Sequence, residues 1–186
     1  MLLWITESSS QTKETNELII RSPDQISAIN PNEPAFVVID SRPPTPEVMA
    51  WASMRRQATL WWKPTFEVPK AHCYVDVVGC SAPEFVPLLS EIYHRNGVVN
   101  VSLTELESAV KVYDKAQVFM VSSDSGSLLH HQCWPLGYLI HRDSNASIDD
   151  FQRVTELGRN RFNIKEMINL IVPDDGRNLL LTFSKA

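Results

Sequence analysis

Short apolar and β-branched runs alternate along this chain with stretches of helical periodicity. Leu2 to Thr6 reads as a first strand and Leu18 to Arg21 as a second. Residues 7–17, between them, contain no apolar side chain. A helix there has no face to bury, so a mobile loop is expected. Ser22, Pro23 and Gln25 mark a short helix start, with a cap, a first-turn proline and a capping-box partner. Residues 35–39, Ala-Phe-Val-Val-Ile, are continuously apolar. Such a run suits a strand buried on both faces.

Thr45-Pro46 opens a helix to about residue 56, with Val48, Trp51 and Ala52 on one side. Thr59 to Trp62 reads as an edge strand. Residues 74–79 read as a strand. A helix over 83–95 buries Phe85, Leu88, Leu89 and Ile92, and its interior Pro87 predicts a late start. Residues 98–101 read as a strand, and Ser102 with Glu105 is expected to cap a helix carrying Leu103, Leu106 and Val110. Further strands are expected over 118–121, 138–141 and 179–183. A helix over 127–134 stops at Pro135, Ser147 caps another, and Asn163 with Glu166 marks one more helix start.

Strands separated by helices favour parallel pairing with right-handed crossovers. The expected fold is therefore α/β, a three-layer α-β-α sandwich with a mainly parallel sheet. Residues 1–186 are expected to form a single domain, and any internal boundary falls near residue 70, where Pro64 and Pro69 interrupt the pattern.

Composition narrows the class. Hydrophobic residues make up 44% of the 186 and charged residues 21%, which excludes a wholly disordered chain. The net charge of −5 argues against a general nucleic-acid binder. Three cysteines without regular spacing do not form a disulfide framework. No apolar run approaches the roughly 18 residues of a membrane span. A soluble, cytoplasmic protein without membrane insertion is the expectation.

Residues 122–127, Ser-Ser-Asp-Ser-Gly-Ser, lie between an expected strand and an expected helix. Ser122, Ser123, Ser125, Gly126 and Ser127 could present hydroxyls and backbone N–H groups to a phosphate. The same serines could simply cap the helix. Ser123-Asp124-Ser125-Gly126 resembles the Ser-x-Ser-Gly loop of sugar-isomerase (SIS) domains, and Gly79-Cys80-Ser81 stands where those domains have a first Gly/Ser-rich turn. Phosphosugar binding is what that resemblance implies. Leu128 stands where the family has a threonine.

Asp40 follows a buried-type strand and precedes Pro44 by four residues. This is similar to the phosphoacceptor turn of response-regulator receiver domains. Thr6-Glu7 stands where that family has its acidic pair, so no Mg²⁺ site is evident. Ile39-Asp40-Ser41-Arg42 is also similar to the first motif of rhodanese domains, without their cysteine-bearing loop. The plainer role of Asp40 is a cap or a salt bridge to Arg42.

His130, His131 and Cys133, even with His72 and Cys73, make no metal motif, and no metal or cofactor is expected. No nucleophile elbow, P-loop or dinucleotide fingerprint is present. Trp51, Trp61 and Trp62 lie among Arg55, Arg56 and Lys63. Aromatic and arginine side chains together often anchor protein interfaces. On an edge strand, alternation would turn one of Trp61 and Trp62 outward.

These features predict a non-enzymatic accessory or regulatory protein that binds another protein through Trp61, Trp62, Arg55 and Arg56. The alternative is a phosphate- or phosphosugar-binding enzyme using residues 122–127.

Overall fold

The computed structural model describes residues 1–7, 12–33, 35–40, 43–69, 72–77, 80–94, 103–121, 133–142, 147–172 and 176–185. The side chains at 77, 93, 94, 103 and 104 fall outside that description. The described residues form strands β1 (Leu2–Thr6), β2 (Leu18–Arg21), β3 (Phe36–Asp40), β4 (Thr59–Trp62) and β5 (Cys73–Val77). They continue with β6 (Lys115–Val121), β7 (Trp134–Arg142), β8 (Ile164–Val172) and β9 (Asn178–Ser184). Helices are α1 (Pro46–Ser53), α2 (Ala82–His94), α3 (Leu103–Val112) and α4 (Ile148–Phe162), with a 3-10 helix at Pro23–Ala28.

The nine strands make one sheet in the order β2-β1-β3-β4-β5-β6-β9-β7-β8. β1 to β6 pair in parallel throughout, and β7 pairs in parallel with β8. β9 runs antiparallel between β6 and β7. The fold is α/β and the sheet is mixed, because β9 turns back to fill the gap between two parallel blocks.

Alternation along each strand divides the side chains between two faces. On one face Trp4, Val38, Trp62, Val75, Val118 and Leu181 pack with Phe85 and Leu89 of α2 and Leu106 and Val110 of α3. The opposite face holds two separate clusters. Ile5, Val37, Ile39 and Trp61 meet Val48, Trp51 and Ala52 of α1 and Ile26 of the 3-10 helix. Further along, Phe119, Leu139 and Leu180 meet Phe162 of α4.

Helix ends follow local chemistry. Thr45 Oγ1 accepts the Val48 N–H at 3.3 Å, and Pro46 occupies a first-turn position where no N–H is needed. Ser147 Oγ accepts the Asp150 N–H at 3.1 Å, while Asp150 Oδ2 accepts the Ser147 N–H at 3.3 Å. The Ser147 hydroxyl also donates to that carboxylate and holds it below its usual range.

Several elements depart from the sequence expectation. β4 is an interior strand, bonded to β3 and β5. The sheet therefore runs on between residues 62 and 73 without a break in pairing order. α2 starts at Ala82 and carries Pro87 inside it. Trp134 and Pro135 begin β7 instead of ending a helix. Asn163 is a C-terminal cap with φ 50°, and Ile164–Val172 is a strand. Asparagine tolerates the left-handed conformation that ends a helix, so it can mark a stop as well as a start. The strand expected at 98–101 and residues 127–132 of the helix expected over 127–134 lie outside the described residues.

Residues 12–17 form no helix or strand. They are nonetheless tied to β2. Thr15 exchanges bonds with Leu18, donating to its C=O at 3.1 Å and accepting its N–H on Oγ1 at 3.0 Å. Glu14 Oε1 accepts the Ile20 N–H at 2.8 Å, which holds the Glu14 carboxyl below its usual range. Arg21 Nη1 donates to Ile20 O at 2.6 Å and also pairs with Glu14. The outer edge of β2 is thus closed by side chains and by the preceding turn.

Candidate functional site: a crevice at the carboxyl edge

In open α/β sheets, ligands sit beyond the carboxyl ends of parallel strands, where the strand order reverses. Here the order reverses at β1, which pairs with β2 on one side and β3 on the other. A cavity of about 400 Å³ opens at this edge. It is lined by Glu7 after β1, Asp40 at the end of β3, Trp62 and Lys63 at the end of β4, and Cys80, Ser81, Ala82 and Pro83 at the start of α2.

The sheet register brings these groups together. Thr6 lies beside Asp40, so Glu7 follows at the same edge. Ile39 lies beside Trp61, one residue short of Asp40 and Trp62 in their strands. Lys63 then leaves β4 with φ 43°, and its N–H donates to Val75 O at 2.8 Å. The left-handed region is sparsely occupied by residues with a Cβ, and such strain gathers at functional positions. Trp62 underlies the crevice, its indole stacked on Phe85 at 5.3 Å.

The nucleophile-type side chains of the crevice are quiet. Ser81 Oγ donates to Glu84 Oε2 at 2.9 Å, and the Ser81 N–H donates to the same oxygen at 3.0 Å. Those bonds hold the Glu84 carboxyl below its usual range. Burial, helped by the Glu84 carboxylate, pushes the Cys80 thiol up to about 11. A thiol in that state is protonated at neutral pH and a poor nucleophile.

The residues expected at a partner surface lie elsewhere. Trp61 and Trp62 are both in the interior, 1% and 3% exposed, because β4 has a strand on each side and apolar clusters on both faces. Neither indole is turned to solvent. Arg55 is buried too. Its Nη1 donates to Pro31 O at 3.1 Å and its Nη2 to Ala35 O at 2.8 Å, with the guanidinium 5.1 Å from the Trp51 ring. Arg56 alone of the four is exposed. Desolvation pushes the Arg55 guanidinium down to about 10.

Ser122, Ser123, Ser125, Gly126 and Ser127 lie outside the described residues, as do Ser41, Arg42, Gly79, His130 and His131. Among the described residues, no group of three or more His, Cys, Asp and Glu side chains could hold a metal ion. Sequence reading singled out Asp40 and Ser81 but missed Lys63 as a crevice residue. The pair Lys63-Pro64 after a strand was the available signal, since the positive φ itself leaves no mark in a lysine.

No family model matches this chain, and no curated protein matches it. Among solved structures it is similar to an empty dimer of FtsZ from M. jannaschii, with a TM-score of 0.52 at 12% identity. That match covers 87% of this chain and 66% of the FtsZ chain. A tryptophan-to-tyrosine mutant of the same FtsZ matches with a TM-score of 0.40 at 12% identity, over 81% of this chain and 56% of that one. At such identity the likeness to the first shows a shared α/β fold and no more. Among the described residues, no helix is long and apolar enough to cross a membrane.

Proposed function

We propose that this chain is a three-layer α/β regulatory module that holds a small polar ligand in its carboxyl-edge crevice and acts through another protein. One observation carries the reading. Glu7, Asp40 and Lys63, from three neighbouring parallel strands, line one cavity at the point where strand order reverses, and Lys63 is kept there in a strained conformation.

The crevice suits holding better than reacting. Its serine is committed to Glu84 and its thiol is protonated. Two carboxylates can accept from an amine or from hydroxyls, while the lysine can donate to an acidic oxygen. A small molecule carrying both kinds of group fits that set. The reading of a phosphosugar enzyme rests chiefly on residues 122–127, which lie outside the described residues; of its other turn, Cys80 and Ser81 line this crevice.

Thermal unfolding in the presence of amino acids, sugar phosphates and nucleotides tests the proposal. A ligand at about a hundredfold its Kd adds roughly 2.7 kcal/mol of stability. The shift should vanish in Asp40→Asn and Lys63→Met, both of which should remain folded. Should no compound raise the Tm, or should the shift survive both substitutions, this assignment fails.

A further inference from the structure

The two edges of the sheet are finished in opposite ways. At β2, four residues long, the outward backbone groups of Leu18 and Ile20 are met by Thr15, Glu14 and Arg21. At the other end lies β8, nine residues long and paired only with β7 among the described residues. No described residue hydrogen-bonds to its outer side. An uncapped edge is a template for another strand.

The sequence of β8 is uneven along its length. Lys165 and Glu166 sit near its start, and Met167 to Val172 carry no charge. Ile171 is 55% exposed on this strand, and Ile148 is 77% exposed at the start of α4, which packs on β7 and β8. They are two of the five large apolar side chains exposed among the described residues.

The geometry points to a second copy of this chain as the occupant, with the two β8 strands antiparallel about a two-fold axis through Ile168. That register pairs all nine residues. It sets Ile164 opposite Val172 and Lys165 opposite Ile171 of the second copy. The lysine stem can then lie over the isoleucine, with its ammonium in water. Like charges are never opposed. A parallel, in-register stack would place Lys165 on Lys165, which is unfavourable.

The closed β2 edge decides the form of the assembly. Head-to-tail addition of β8 onto β2 would build an open filament, and the bonds from Thr15, Glu14 and Arg21 block it. Only the isologous pairing remains, and it closes at two copies.

Sedimentation of the full chain across its soluble concentration range, together with two variants, is the test. Wild type should pass from monomer to dimer as concentration rises. Ile171→Lys sets two ammonium groups opposite each other at both symmetric positions and should raise the dimer Kd roughly tenfold. Ile171→Glu sets a carboxylate opposite Lys165 and should leave the dimer at or near wild-type strength. Ile171 is exposed, so both variants should keep the wild-type circular dichroism and Tm. A chain that stays monomeric at its highest concentration overturns the proposal. So does a dimer indifferent to Ile171→Lys, or one weakened equally by Lys and Glu.

Discussion

Trp61 and Trp62 are chain neighbours that belong to different cores, Trp61 edge-on to Phe66 at 5.2 Å and Trp62 stacked on Phe85 at 5.3 Å. The sheet passes between them, so each seals a separate layer of packing.

Both tryptophans should therefore be stability residues. Trp61→Ala and Trp62→Ala should each cost about 3–5 kcal/mol, as expected for emptying a large aromatic site in a core. Urea unfolding of the two variants checks this. In wild type, acrylamide should quench neither indole efficiently. A variant that unfolds at the wild-type midpoint would place its tryptophan at the surface.

Lys63 gives a prediction of opposite sign. Its φ of 43° suits glycine, which has no Cβ to clash. Lys63→Gly should stabilise the fold by about 1 kcal/mol, since strain in the left-handed region is of that size. The same change should abolish ligand-induced shifts at the crevice. Chemical denaturation with and without ligand separates the two effects. If glycine destabilises the protein, the backbone at Lys63 is not strained.

The glycines of α4 and β7 should respond in contrary ways to alanine. A Cβ on Gly158 would meet Met167 Sδ at 3.5 Å and Leu139 Cδ2 at 3.6 Å, ordinary packing distances. Gly158→Ala in mid-helix should gain about 0.8–1.0 kcal/mol from helix propensity. A Cβ on Gly137 would meet Ile164 Cδ1 at 2.9 Å and Cγ2 at 3.2 Å. Gly137→Ala should cost about 1–3 kcal/mol through overpacking, and Ile164→Val should recover part of it. Thermal melts of the three variants are sufficient.

How much of this was legible in the sequence depends on what each signal measures. The run from Phe36 to Ile39 and the caps at Thr45 and Ser147 are local, and each appears where its residues suggest. The interior position of β4 is not local. It depends on β5 docking against Trp61 and Trp62 after a proline-broken connection. Alternation told correctly that the two indoles point in opposite directions. It could not tell that an apolar layer waited on both sides. Pro135 read as a helix stop because proline cannot continue a helix, yet β7 carries it near its first residue, a position that tolerates one. In the crevice Asp40 was legible from its place after an apolar strand. Lys63 was not, because a strained backbone is set by the chain on either side of it.

Stability should fall in mild acid. His141 is buried with its ring 4.5 Å from that of Phe151, and its Nε2 has no partner among the described residues. Burial lowers its pKa, against a smaller opposing effect of the Asn169 hydrogen bond. His72 is lowered by burial and by Arg55. The folded state thus binds these protons less readily than the unfolded state. Their contribution is intact above the unfolded value of about 6.5 and is lost as pH falls from there towards the folded values. The Tm should drop between pH 7 and pH 5, and His141→Phe should flatten part of that slope. A Tm that rises over this interval would mean that the imidazoles are favoured in their charged form.

β9 has a consequence for how the molecule is assembled. β6 and β7 do not touch as strands; β9 lies between them and bonds to both, Lys115 with Ser184 on one flank and Leu136 with Phe183 on the other. The parallel block β1 to β6 and the pair β7–β8 can each gather early from nearby sequence. They become one sheet only when a strand from far along the chain slides into the slot. Such a keystone step is long-range and slow, since its contacts are rewarded only after a large loop has closed. Refolding should therefore show an early phase in which the halves are formed but unjoined, and a late phase set by the arrival of β9.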